Sequence, residues 1–307
     1  MTNGLVRIKL ASSEGRIGSV QIRCERPDVT PCLRGQTRAG VLQRISLLYA
    51  LCGKAQLRAA QLALAAATGE ECLTIIDPEV QREAMREHLW HCLIVLPGLS
   101  GKTPQHDEFV RAAKWIAEDR RAELHEWLKC AVLTRVPQDE AFVANPLPRL
   151  EAKNSLAEWP RLNAEFCRHP TWRGGPAETG TVEIKNTFKS SCYDVIFHCA
   201  RFDALRCWAA GDEPNGGMVS SVNVAPRVGR SLVETARGLL MHEVELDGER
   251  IADYKIVAPT EWNFHPKGAL ATYLMGQPAG DRGELERRLA RIVAALDPCV
   301  PWTLEWL

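Results

Sequence analysis

The hydrophobic positions change period along the chain, and those changes divide it into elements. Two runs alternate apolar and polar residues: Leu5-Val6-Arg7-Ile8-Lys9-Leu10, and Ile17-Gly18-Ser19-Val20-Gln21-Ile22-Arg23. Glu14-Gly15-Arg16 lies between them. A period of two broken by a glycine turn predicts a β-hairpin, which Pro27 and Pro31 would end. From Gln36 to about Thr68 the apolar spacing becomes three and four, through Val41, Ile45, Leu48, Leu51 and Ala55, and predicts helix. The run from Leu57 to Ala67 is apolar nearly all round, so this helix should be central and buried. Gly53 is costly inside a helix. It points either to a break at Cys52-Gly53 or to a close approach to the backbone.

Helical periodicity returns over residues 79–96, 105–135 and 191–210. Between the first two, Gly98-x-x-Gly101-Lys102-Thr103 falls short of phosphate-loop spacing, and no strand pattern precedes it. Residues 137–180 are irregular and Pro-rich, with a short helix expected at 154–167. This is the natural place for a subregion boundary in a chain otherwise read as one domain over 1–307. A strand is expected at 219–224. Residues 238–246 and 250–257 form a predicted hairpin around Asp247-Gly248, a strong turn signal. Helices are predicted at 267–275 and 283–296.

Composition narrows the function classes. The 307 residues suffice for a sizeable core, and 38 Lys plus Arg balance 38 Asp plus Glu. That balance gives no footprint for nucleic acid or an anionic membrane. No uncharged apolar stretch of about 18 residues exists, so no membrane span is expected. The N-terminus lacks the apolar core of a signal peptide. Eleven cysteines, an odd number in such a chain, suit a reducing cytoplasm with free, mostly buried thiols. His88, His91 and Cys92 share one helical face, a zinc-like trio with no evident fourth ligand. Cys192, Cys199 and Cys207 share another, where core filling is the simpler reading.

Several short motifs, weak singly, stand in a telling order. They are Arg34-Gly35; Leu51-Cys52-Gly53; Arg237-Gly238-Leu239 with His242; Pro259-Thr260-Glu261-Trp262-Asn263 with Pro266; and Asp297-Pro298-Cys299. In that order they resemble the large subunit of nickel–iron hydrogenases. The resemblance implies an α+β fold with a buried long-helix core and peripheral β-hairpins. It also implies that Cys52 and Cys299 meet.

The departures from the family pattern carry equal weight. The family holds two metals with four thiolates, and here the second Cys of each pair is replaced by Ala55 and Trp302. Two family histidines correspond to Arg58 and Glu305. Soft thiolates are what nickel and low-spin iron need, so nickel binding and hydrogen turnover are not expected, and the chain is read as no enzyme. What persists is the pocket for diatomic ligands: Arg237 to face cyanides as a charge-assisted donor, and Thr260 as a hydroxyl donor. The chain is similar to the HupK/HoxV-like maturation factors of hydrogenase operons. That likeness implies a transient scaffold for the Fe(CN)2(CO) fragment. Cys52 and Cys299 would be metal ligands, and Arg237 and Thr260 would bind the fragment's cyanides. Implied partners are small assembly chaperones and the large-subunit precursor. The alternative is a metal-free interaction protein that keeps only the architecture. Cys32 is a third candidate thiol. The segment around Glu178 resembles a Glu-x-Gly segment of both groups, and no role is assigned to it.

Overall fold

The computed structural model describes residues 4–131, 147–150, 156–180, 193–212 and 216–307. Strands β1 (Leu5–Ser13) and β2 (Arg16–Glu25) form the expected antiparallel hairpin. Its turn residues Glu14 and Gly15 both take positive φ. The helical stretch that follows is two helices, α1 (Arg38–Leu48) and α2 (Gly53–Ala67). Gly53 is the first residue of α2, and a Cβ there would meet nothing within 4 Å. Of the two readings of Gly53, the break is therefore the right one.

A two-residue strand β3 (Ile75–Ile76) leads to α3 (Pro78–Trp90), which passes through a π-helical turn at His91–Val95 into α4 (Leu96–Leu99). The next predicted helix is split into α5 (His106–Ala117) and α6 (Arg121–Cys130) by Asp119, whose φ is 54°. Its last expected residues lie outside the described residues. The Gly98–Thr103 stretch begins inside α4 and so does not follow a strand. In the Pro-rich region only α7 (Ala164–Arg168) and a 3-10 turn at Leu156–Glu158 are described as helical. Helix α8 (Tyr193–Ala210) follows, and Cys192 lies outside the described residues.

Strands β4 (Met218–Ala225), β5 (Val228–Thr235), β6 (Gly238–Asp247) and β7 (Arg250–Val257) come next. With β3 they make a five-stranded antiparallel sheet in chain order. Helices α9 (Pro259–Asn263), α10 (Ala269–Leu274) and α11 (Arg282–Leu296) lead to β8 (Trp302–Trp306). Strand β8 pairs in parallel with β1, so the second sheet runs β2-β1-β8.

The α+β class holds, but one expected detail is corrected. The hairpin of β6 and β7 is not peripheral. It supplies two of the five strands of the larger sheet, and β5 and β6 are buried almost throughout. Helix α2 lies against that sheet. Ala59, Ala60, Ala63, Ala66 and Ala67 on α2 are buried, and Gly229 of β5 faces the helix so closely that a Cβ would sit 2.0 Å from the Ala63 carbonyl oxygen. Small residues on both sides let helix and sheet backbones approach. Charge is buried here too. Arg230 of β5 donates to Glu243 of β6 at 2.9 Å and to the Leu156 and Trp159 carbonyls, so the guanidinium is satisfied inside the core.

Candidate functional site: a two-thiol cavity

Cys52 is the N-cap of α2, in the four-residue link after α1. Cys299 stands between the end of α11 and the start of β8, and the β1–β8 pairing fixes that segment. These two arrangements bring the two ends of the chain to one cavity of about 460 Å3. Cys52, Cys299, Arg237 and Thr260 all line it, with Tyr49, Gln56 and Pro259 among their neighbours. Thr260 is the second residue of α9. Its Oγ1 accepts from the Cys299 backbone N–H at 3.3 Å and lies 3.2 Å from the Cys299 sulfur. A hydroxyl that accepts from the backbone still has its own proton to aim at the sulfur.

Arg237 opens the turn into β6 and is gripped by two carboxylates. Its Nη2 donates to Glu87 Oε2 at 2.9 Å, and its Nε is 3.2 Å from Asp297 Oδ2. Burial opposes its charge, yet Asp297 and Glu87 hold its pKa above the ordinary value. Gly238 is required beside it. Its φ is +122°, and a Cβ would come 2.5 Å from Thr179 Oγ1. Asn263 ties the pieces together. It accepts from the Thr179 N–H at 3.2 Å and donates to the Arg237 carbonyl, also at 3.2 Å. The Trp-Asn pair of the α9 motif is therefore a brace: Trp262 packs edge-on against Trp159 and Phe166 while Asn263 holds the Arg237 turn.

Helix α3 supplies two carboxylates to this neighbourhood, one turn apart. Glu83 accepts from the Lys54 and Ala55 N–H groups at 2.8 and 3.1 Å, capping α2 in place of a Cys52 side chain. Glu87 holds Arg237. Neither was singled out from the sequence, where two glutamates at i, i+4 on a helix read as a solvated face. Burial pushes the Cys52 thiol up to about 12. Cys299 and Glu83 add to this, while Arg237 and a hydrogen bond from Gln56 oppose it. Cys24 of β2, also missed, is raised by burial and by Glu261, and it feels Cys299 as well. Arg26, which lines the cavity, is paired with Glu261 at 2.9 Å.

The other sequence candidates lie elsewhere. Cys32 is exposed and does not line the cavity. His88, His91 and Cys92 are all buried, and His91 Nε2 lies 2.7 Å from His198 Nδ1. Among the described residues no group of three or more His, Cys, Asp or Glu is disposed to hold a metal ion. His242 is buried and bonded to Gln56 and Tyr254. Glu178 is buried, 3.7 Å from Arg149, and burial raises its carboxyl to about 7. At the positions where the resemblance loses ligands, Ala55 is wholly buried and Trp302 packs into the core around β1. Arg58 pairs with Asp77 at 2.9 Å, and Glu305 pairs with Lys9 at 2.6 Å.

Comparison with known proteins bears on the fold and on part of the chain. A family model described as nickel-dependent hydrogenase matches residues 216–303, which include Arg237, Thr260 and Cys299. The fold is similar to the Ni-Fe-Se hydrogenase of D. vulgaris Hildenborough in its reduced state, with TM-score 0.59 and 13% identity over 94% of each chain. It is also similar to the Ni-Fe-Se hydrogenase of Desulfomicrobium baculatum, with TM-score 0.57 and 12% identity over 94% of this chain and 95% of that one. The chain is thus related to the nickel-dependent hydrogenase large subunit.

Curated relatives narrow the class. The hydrogenase expression/formation protein HupK of Azotobacter vinelandii is 28% identical, and the match covers 98% of each chain. The hydrogenase expression/formation protein HoxV of Cupriavidus necator is 32% identical over 60% of this chain and 53% of its own length. The chain is thus similar, over nearly its whole length, to hydrogenase expression/formation proteins of the HupK/HoxV type.

Proposed function

We propose that this protein acts in hydrogenase maturation as a transient scaffold for the Fe(CN)2(CO) fragment, which it passes to a large-subunit precursor. The observation that carries the reading is that Cys52, Cys299, Arg237 and Thr260 line one cavity. Two thiols make a poor cage for a bare ion, which takes about four ligands in a closed protein site. They suit a fragment that arrives with three strong ligands of its own. Thiolate sulfur is the soft donor such iron accepts. Arg237 already spends contacts on Glu87 and Asp297, but its guanidinium has five N–H donors in a planar fork. It faces the cavity as a fixed cation suited to an anionic cyanide nitrogen. Thr260 has one hydroxyl proton, which would turn from the Cys299 sulfur to a cyanide nitrogen when the fragment is bound. The fragment is cargo, and no step of hydrogen turnover is assigned to the chain. Partners on this reading are the small chaperones that deliver iron and the precursor that receives it. Neither sign of net charge marks the chain for nucleic acid.

The test is metal content after anaerobic purification from a host that carries the maturation machinery. Wild-type protein should hold iron without nickel. Cys52→Ser and Cys299→Ser should each lose it while remaining folded by circular dichroism. Iron retained at the wild-type level in both variants contradicts the ligand assignment. A metal-free interaction protein predicts no iron under any of these conditions.

A further inference from the structure

Behind Cys52 lies a chain of buried polar side chains that no packing argument requires. Gln56 is on the next turn of α2, one full turn from Cys52. Its Nε2 lies 3.7 Å from the Cys52 sulfur, within range of a hydrogen bond to sulfur. Its Oε1 lies 2.9 Å from His242 Nε2 on β6, and His242 Nδ1 lies 2.8 Å from the Tyr254 hydroxyl on β7. Gln56 is 1% exposed, and His242 and Tyr254 are 0% exposed, so water does not compete for these bonds.

The direction of the chain follows from donor and acceptor inventory. A carboxamide oxygen only accepts, so His242 carries its proton on Nε2. Burial keeps the imidazole neutral, so Nδ1 must accept, and the Tyr254 hydroxyl donates to it. With its oxygen committed to the imidazole, the amide has only its N–H groups to offer the sulfur. Each link therefore fixes the orientation of the next, from the sheet to the thiol.

We propose that Gln56 is a positioning residue for the Cys52 sulfur, locked by His242 and Tyr254 so that an amide N–H is permanently aimed at a sulfur lone pair. The proposal deepens the scaffold reading and rests on it for its consequence. Hydrogen bonds to a ligating sulfur tune the electron density it gives a metal. A thiolate that shares a lone pair with Gln56 is a weaker donor to iron, which suits a site that must let its cargo go.

Two measurements on the full chain test this. In the iron-loaded protein, Gln56→Met keeps length and burial but removes the donor, so the carbonyl band should move to lower wavenumber. Tyr254→Phe releases the far end of the lock and should move the band the same way by less. Iron-loaded variants with an unmoved band contradict the proposal. In the metal-free protein, iodoacetamide labelling of Cys52 is followed by peptide mass spectrometry, with Cys299 as internal reference. Gln56→Met should slow Cys52 by about three- to tenfold relative to Cys299 at constant pH, the effect of one lost donor. An unchanged ratio overturns the positioning role. If no variant or wild type shows carbonyl and cyanide bands, the scaffold reading fails, and the labelling ratio alone decides whether Gln56 addresses the sulfur.

Discussion

Replacing Glu87 tests the part of the site on which the cavity's charge depends. Arg237 and Glu87 are each 11% exposed and meet at 2.9 Å. Asp297, 3.2 Å from Nε, is a second counter-ion. Glu87→Ala strips the guanidinium of its better-aligned partner without giving it water. Breaking a buried ion pair from one side costs about 3–5 kcal/mol. Asp297 remains, so the lower end applies, about 3 kcal/mol. In a chain of this length that lowers the Tm by roughly 4–6 °C. A double-mutant cycle of Glu87→Ala with Arg237→Ala isolates the pair, and a coupling of about 2 kcal/mol or more is expected from urea denaturation. The exposed pair Lys129–Glu126, at 2.7 Å, is the control and should couple by under about 0.5 kcal/mol. Equal couplings for the two pairs would refute the claim that α3 holds Arg237 in place.

Three further outcomes follow from the same geometry. Gly229→Ala drives a methyl group into the α2 backbone, 2.0 Å from the Ala63 carbonyl oxygen. It should cost more than about 3 kcal/mol or abolish soluble expression, whereas Gly53→Ala, with open space around it, should express normally. Burial raises the Glu178 carboxyl to about 7, so its contribution to stability is complete below the unfolded value and is lost as pH rises through 7. Glu178→Gln should therefore leave stability at pH 4 unchanged and raise it at pH 8 by up to roughly 3 kcal/mol in urea titrations, and an equal effect at both pH values would contradict the assignment. Thr260→Val removes the hydroxyl that lies 3.2 Å from the Cys299 sulfur. It should cost about 1 kcal/mol of stability and shift at least one cyanide band of the loaded protein, and identical bands would remove Thr260 from the site.

What the sequence makes legible depends on how local the signal is. The turns at Gly15 and Gly248 are announced by glycines that take positive φ without strain, and both hairpins follow. The motifs around Cys52, Arg237, Thr260 and Cys299 single out four residues that line one cavity. Strand β5 was not legible, because Arg230, Ser231 and Glu234 give it a polar look. Arg230 is neutralised by Glu243 on the neighbouring strand, and Ser231 donates to the Ala59 carbonyl at 2.8 Å across the fold. Strand β8 did alternate, in Trp302-Thr303-Leu304-Glu305-Trp306, but its partner β1 lies at the other end of the chain. The carboxylates that serve the site, Glu83 and Glu87, sit on a helix with no motif. Their roles emerge only when α3 packs beside α2 and the Arg237 turn.

The most direct test of the scaffold reading is an infrared spectrum of the protein, purified without oxygen from a host that makes the iron fragment. One carbonyl band and two cyanide bands, with iron and no nickel, are the predicted result, and all three should vanish in Cys52→Ser and Cys299→Ser. A silent window in the wild-type protein, repeated with the delivering chaperones present, would contradict the reading and leave the cavity as inherited architecture.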